Sequence, residues 1–173
     1  MSNSIIKILA VFLILFGLTE NINADEPKHS DSHQFNFFSG VFDINTSSKK
    51  SSELFGIQHS NEDLFRDTFL GKFSPITGFM TTTDSTSYLY TGVQAQYNIG
   101  KLNLTPSFSP GLYSMGDGKD LGSPLEFKSE LQLSIDILPG TTLGYSQSHL
   151  SNAGIGDKNP GADSYMFNLM KSF

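Results

Sequence analysis

His149, Leu150 and Ser151 run into Asn152-Ala153-Gly154 and then into Asn159-Pro160-Gly161-Ala162-Asp163, so one short hairpin holds a base, a hydroxyl and a carboxylate. On a strand, residues two apart share a face, which sets His149 beside the Ser151 hydroxyl as a general base that activates a nucleophile. Asp163 opens the last strand after a turn-rich loop. An antiparallel return brings it beside His149, where a carboxylate fixes the imidazole tautomer and steadies the imidazolium. The chemistry of such a set is acyl transfer. Each piece also has a plain reading: His-x-Ser is a common tripeptide, and Asn-Pro-Gly is ordinary turn chemistry. The choice rests on the elements that carry these residues.

The first residues carry Lys7 and then a short apolar run, Ile8 to Leu18, followed by polar residues and Ala24. The run is too short to span a bilayer and reads as a secretory signal peptide, residues 1–24, with the cut within a few residues of Ala24 because Ile22 is larger than the ideal residue there. Residues 25–173 are then expected to form one domain of roughly 150 residues. An exported chain without cysteine must be held by burial or by closed strand pairing. A net charge of −6 with 11 Lys and Arg argues against nucleic acid as a partner.

From about Phe35 to Phe173 apolar and polar residues alternate with a period of two, which predicts an all-β chain. The clearest case sets Phe127, Ser129, Leu131, Leu133, Ile135 and Ile137 against Glu126, Lys128, Glu130, Gln132, Ser134 and Asp136. Leu89, Val93, Ala95, Tyr97 and Ile99 likewise oppose Tyr90, Gln94 and Gln96. In the last strand Tyr165, Phe167, Leu169 and Phe173 oppose Ser164, Asn168 and Ser172, with Lys171 placed to snorkel to an interface. Eight segments result, at about 34–44, 51–59, 67–82, 87–99, 102–113, 125–138, 141–150 and 163–173. Most reach the roughly 9–11 residues of a tilted membrane strand. An even set of antiparallel strands closes without an exposed edge, so the fold expected is an eight-stranded antiparallel transmembrane β-barrel. Side chains fill a barrel of that size, so Glu126, Glu130 and Gln132 are expected in a packed polar network and not around a pore.

Gly100-Lys101 and Pro139-Gly140 fit short periplasmic turns, and 114–124 and 152–162 fit longer external loops. The connection 60–66 is long for a periplasmic turn, and 83–86 is short for an external loop. Strand seven then runs outward and carries His149 and Ser151 to its external end. By parity Leu143, Tyr145, Gln147, His149 and Ser151 share the lipid-facing side, as do Asp163, Tyr165, Phe167 and Leu169. Polar groups on that face are costly unless the substrate is itself a membrane lipid, which points to an esterase acting on the outer leaflet.

The stretches His149 to Gly154 with Asn159-Pro160-Gly161, Thr105-Pro106-Ser107-Phe108 through Gly111-Leu112-Tyr113, and Gly116-Asp117-Gly118-Lys119-Asp120-Leu121-Gly122-Ser123-Pro124-Leu125-Glu126-Phe127 resemble the lipid A 3-O-deacylase (PagL) family, acyloxyacyl hydrolase-like outer-membrane proteins. The likeness covers most of the chain after residue 24 and is densest after Pro75. It implies an outer-membrane barrel that hydrolyses the ester-linked 3-hydroxyacyl chain at position 3 of lipid A, within lipopolysaccharide of the outer leaflet, with no metal and no other cofactor. By matching positions it implies His149 as base and Ser151 as nucleophile, with Asn152, Ala153 and Gly154 supporting the oxyanion. The donor is either the Asn152 side chain or one of these backbone amides, and Asn152 also reads as a turn-starting residue. The acidic member of the family's best-known form is a Glu, where this chain has Asp163. Being one methylene shorter, Asp163 needs a closer backbone or a bridging water to reach His149, and it reads as a conservative replacement.

Other candidates are weaker. His29-Ser30-Asp31-Ser32-His33 has ligand-like spacing but falls in the polar stretch after the expected cut, where disorder is the commoner outcome. Asp117, Lys119 and Asp120 lack a calcium-loop pattern and read as loop structure near lipid headgroups. The tracts 46–52 and 81–87 read as solvated hairpin tips. The alternative function is a noncatalytic barrel for envelope structure or partner binding. A single barrel and a homodimer fit the pattern equally.

Overall fold

A computed structural model describes residues 33–44, 51–64, 66–68 and 71–173. The expected signal peptide, positions 29–32 of the histidine-bearing run and positions 46–50 of the first Ser/Thr tract lie outside the described residues. The strands are β1 (His33–Phe42), β2 (Ser52–Asn61), β3 (Arg66–Thr68), β4 (Gly71–Thr82), β5 (Ser87–Ala95), β6 (Tyr97–Ile99), β7 (Leu102–Ser114), β8 (Leu125–Leu138), β9 (Thr141–Ser151) and β10 (Ala162–Ser172). No helix among the described residues is long and apolar enough to cross a membrane.

Every pairing is antiparallel, and the order β2-β1-β10-β9-β8-β7-β5-β4 closes on itself through β2 with β4. Two staves of the barrel are interrupted strands. β5 and β6 both pair with β7, in one register from Gln94↔Ser107 to Tyr97↔Leu104. The break at Gln96 falls beside Pro106, which has no N–H to give the ladder. β2 and β3 both run along β4, separated by the one-turn 3-10 helix Glu62–Leu64. The result is the closed eight-stranded barrel expected from the alternation. The connection 60–66 is therefore not one long loop: β3 continues the stave along β4, with Thr68 paired to Gly71.

The alternation also sets the faces. Exposed large apolar residues such as Leu89, Val93, Phe108, Leu131, Leu133 and Phe167 point outward, and Gln94, Gln132, Ser146 and Asn168 are buried inside. Ala95 keeps the outward parity but is only 2 % exposed, since it is a small side chain whose ladder partner is Phe73. The alternation is interrupted at Ile137. The β8–β9 register shifts between Asp136 and Leu138, and this bulge sets Ile137 with its neighbours at the border of the periplasmic cavity. Lys171 reaches back to the Thr141 hydroxyl at 3.3 Å, at the end where the turns are short.

The strand ends joined by the β3–β4, β6–β7 and β8–β9 connections lie at that end, and those joined by the β1–β2, β4–β5, β7–β8 and β9–β10 connections at the other, which loop-length asymmetry makes external. The interior differs between the two ends. Toward the external end Phe38, Phe42, Leu54, Met80, Tyr88, Tyr90 and Met166 form the core. Inward-facing Gly56 and Gly78 leave room there: a Cβ on them would lie 2.2 Å from the Phe38 ring and 2.4 Å from the Tyr90 ring. Within this layer Lys128 is 1 % exposed, pairs with Glu130 at 2.8 Å and lies 3.9 Å from the centre of the Tyr90 ring. Removing one partner of such a buried pair costs about 3–5 kcal/mol. Toward the periplasmic end the packing opens into a cavity of about 530 Å³ lined by Gln34, Asn36, Gln58, Gln94, Gln132 and neighbours. The expected filled interior thus holds for the external part, where it blocks passage, and not for the periplasmic part.

Candidate active site

β9 ends at Ser151 and β10 begins at Ala162, with the external loop 152–161 between them. Their register places His149 directly opposite Asp163, and His149 Nδ1 lies 2.7 Å from Asp163 Oδ1. The short Asp side chain thus needs no bridging water, because the two residues occupy the same rung of the ladder. Both remain accessible, at 53 % for His149 and 32 % for Asp163. Ser151 shares the outward face and is half-buried, with Phe127 opposite it on β8. No hydrogen bond joins His149 to Ser151. Contacts of this kind are often long before substrate binds. With Nδ1 on Asp163, Nε2 is the ring atom left to accept a proton.

Gly161 bounds the imidazole on its external side. A Cβ at Gly161 would lie 2.8 Å from His149 Cε1 and 3.1 Å from Nε2, and the backbone there has φ +61°. Ala162 pairs with Leu150, so Gly161 sits level with Ser151. In the sequence this glycine belongs to the Asn159-Pro160-Gly161 turn motif. In the structure it also keeps clear the space in front of Nε2.

Asn152, expected as an oxyanion support or a turn residue, points inward and is fully buried. Its Nδ2 donates to the carbonyls of Leu121 and Lys158, both at 2.8 Å, and its Oδ1 accepts the Gly154 N–H at 2.9 Å. Its own N–H donates to Asn159 Oδ1 at 3.1 Å. Ala153 and Gly154 both have positive φ, and the Ile155 N–H closes a turn on the Asn152 carbonyl at 3.1 Å. Of the three amides expected as oxyanion donors, that of Ala153 is therefore the one without a protein acceptor among the described residues.

Loop 115–124 is the platform under this turn. Leu121 inserts into the barrel mouth, 1 % exposed, among Phe42, Tyr113, Leu150 and Ala162. Tyr113 donates its hydroxyl to the Lys119 carbonyl at 2.6 Å, and Lys119 Nζ reaches Asp43 at 2.8 Å. The Asp117 N–H binds the Asp84 carbonyl at 2.8 Å, which ties the loop to the short connection 83–86. Asp120 pairs with Lys158 at 2.7 Å, and that ammonium with the Gly122 amide holds the Asp120 carboxyl below the usual carboxylate range. Glu126 is buried behind Asn152, with neither carboxyl oxygen hydrogen-bonded. Lone side chains in a polar loop gave no local sign of these contacts. Among the described residues no group of three or more His, Asp or Glu converges as a metal site, and His33, the described end of the His29–His33 run, instead meets His59 at 3.0 Å.

The family model for lipid A 3-O-deacylase (PagL) matches residues 42–172. Among solved structures, the outer membrane enzyme PagL superposes with a TM-score of 0.63 at 17% identity, covering 81% of this chain and 99% of that one. A de novo designed transmembrane β-barrel gives 0.53 at 9% identity, covering 86% of this chain and 100% of the design. Neisserial surface protein A gives 0.52 at 10% identity, with 83% and 98% covered. These structural likenesses carry the outer-membrane barrel fold. No curated protein sequence matches the chain.

Proposed function

Because the chain belongs to the lipid A 3-O-deacylase (PagL) family, we propose that this outer-membrane lipid A deacylase removes the ester-linked 3-hydroxyacyl chain at position 3 by a Ser/His/Asp mechanism. The observation that carries the mechanism is the 2.7 Å contact of His149 with Asp163, made on the lipid-facing side two residues from Ser151. A base, its orienting carboxylate and a hydroxyl turned toward lipid have no use in a barrel that only spans the membrane.

Ser151 Oγ attacks the acyl carbonyl carbon while His149 Nε2 takes its proton. Asp163 holds Nδ1–H and steadies the imidazolium. The tetrahedral oxyanion is received by the Ala153 N–H, a donor of a kind worth about 10²–10³ in rate. Collapse breaks the bond to the sugar oxygen, which takes the proton back from His149. Water, deprotonated by His149, then attacks the acyl-enzyme, and collapse frees the hydroxy fatty acid while Ser151 Oγ takes the proton back from His149. Each step uses only the chain's own residues and water. A signal peptide at residues 1–24 is the export route this reading assumes.

The test is mass spectrometry of lipid A from cells producing the wild type or Ser151→Ala, both shown to be folded in the outer membrane. The wild type is expected to remove one hydroxyacyl group and Ser151→Ala none. Lipid A left intact by both would overturn the reading in favour of a noncatalytic barrel, and equal loss with both would reject Ser151 as nucleophile.

A further inference from the structure

Loop 115–124 borders a second cavity, of about 300 Å³, lined by Tyr113, Met115, Asp120, Gly122, Ser123 and Pro124. None of these residues takes part in the ester chemistry above, yet the cavity is tied to the site. The Leu121 carbonyl between Asp120 and Gly122 receives Asn152 Nδ2 at 2.8 Å, and Asp120 at the rim pairs with Lys158 at 2.7 Å. A Cβ on Gly156 would fall 2.3 Å from the Gly122 carbonyl oxygen, so the two external loops meet backbone to backbone.

The lining mixes two kinds of group. Met115 and Pro124 give an apolar wall on which the flat face of a sugar ring packs. Asp120 and Ser123 offer hydrogen bonds at the same level. Ser123 Oγ already accepts the Leu125 N–H at 3.1 Å, which leaves its own O–H free to donate. The volume, at the lower end for small-molecule sites, suits one sugar and not two.

Charge and the surface below point to the same kind of ligand. Lys119 is turned inward to Asp43, whereas the Lys158 side chain is 55 % exposed. A lysine bonded once to Asp120 keeps two N–H donors for an anion. Beneath the cavity Leu112 and Leu125 pair across β7 and β8, and Phe108 and Phe127 stack at 5.9 Å. Phe127 is the ladder partner of Ser151. An apolar track thus descends from the cavity on the β8 side of Ser151, while the β10 side is taken by Asp163.

We infer that this cavity is the head-group subsite of the substrate. One sugar ring lies against Met115 and Pro124, its phosphate is bound by Lys158, and acyl chains descend over Leu112, Leu125, Phe108 and Phe127. The assignment rests on the lipid A reading above and adds where the lipid is held and from which side it enters.

The test compares the wild type with Lys158→Gln and Met115→Trp on three substrates in mixed micelles: phosphorylated lipid A, its dephosphorylated form and a p-nitrophenyl acyl ester. Folding is checked by the mobility of unheated protein on gels. Lys158→Gln is expected to lower the rate on phosphorylated lipid A roughly tenfold relative to the other two substrates, the scale of one charge-assisted hydrogen bond. Met115→Trp, which fills the cavity, should lower both lipid rates relative to the p-nitrophenyl ester. Ratios unchanged in both folded variants would overturn the subsite, whether the absolute rates fall together or stay constant. A wild type that cleaves the p-nitrophenyl ester but neither lipid would instead sink the lipid A reading, and the subsite with it.

Discussion

The two ends of the barrel interior are built from the same alternating strands and end up unlike each other. Toward the external loops the inward positions hold Phe38, Phe42, Tyr88 and Tyr90 around a buried Lys128–Glu130 pair, and Leu121 closes the mouth. Toward the periplasm the inward positions hold Gln34, Asn36, Gln58 and Gln94 around about 530 Å³ of open space. Closure of the ladder satisfies the backbone equally at both ends, so pairing alone does not ask for the dense layer. What lies above it does. The proposed reacting groups sit at the last rungs of β9 and β10, where strands fray unless something beneath and above them is fixed. Dense packing stands under the site, and the hollow lies at the far end.

That contrast can be broken by loosening the external end. Asn152→Ala deletes a buried carboxamide that satisfies two carbonyls and one amide, leaving groups whose desolvation costs about 1–3 kcal/mol each. Deacylation is expected to fall roughly a hundredfold as the Ala153 amide loses its aim. Rate measurements on lipid A in micelles, with gel mobility of unheated protein as the folding check, decide this. A folded Asn152→Ala with full activity would mean that the packing under the site is incidental.

A smaller change sharpens the same point. Gly161→Ala puts a methyl group 2.8 Å from His149 Cε1 and forces a side chain onto a backbone of φ +61°. The imidazole must shift by a fraction of an ångström, and the maximal rate should drop by about tenfold with little change in half-saturation. A rise in half-saturation alone would mean that Gly161 only borders the substrate. At the other end Gln132→Leu, which removes a bond to the Met170 sulfur at 3.1 Å inside the cavity, should leave deacylation within about twofold. Loss of activity from that distant change would erase the distinction between the ends.

Much of this was legible in the sequence where the physics is local. Period-two alternation from Phe127 to Ile135 predicted the outward and inward faces of β8, and the turn residues after Ser151 predicted the hairpin that faces Asp163 to His149. What was not legible depends on partners distant in the chain. The 3-10 turn at Glu62–Leu64 appears only because the stave must stay beside β4, and the alternation breaks at Ile137 because β8 carries one more residue than β9 at that point. Asn152 could have donated to an oxyanion or to a carbonyl. The choice was made by Leu121, thirty-one positions away, whose apolar side chain is drawn into the barrel mouth.

The seam between β1 and β10 has a kinetic consequence. It joins residues 138 positions apart, as with Gln34 and Ser172, and a contact of that separation carries the largest loop-closure entropy of the chain. It is expected to close late, and Asp163 belongs to the strand it secures, with its carbonyl receiving the Ile44 N–H from just beyond β1 at 3.1 Å. Until the seam closes, the strand that carries Asp163 lacks one of its two neighbours and is free to fray. On the proposed mechanism, Asp163 is therefore expected to be held opposite His149 only once that seam has closed.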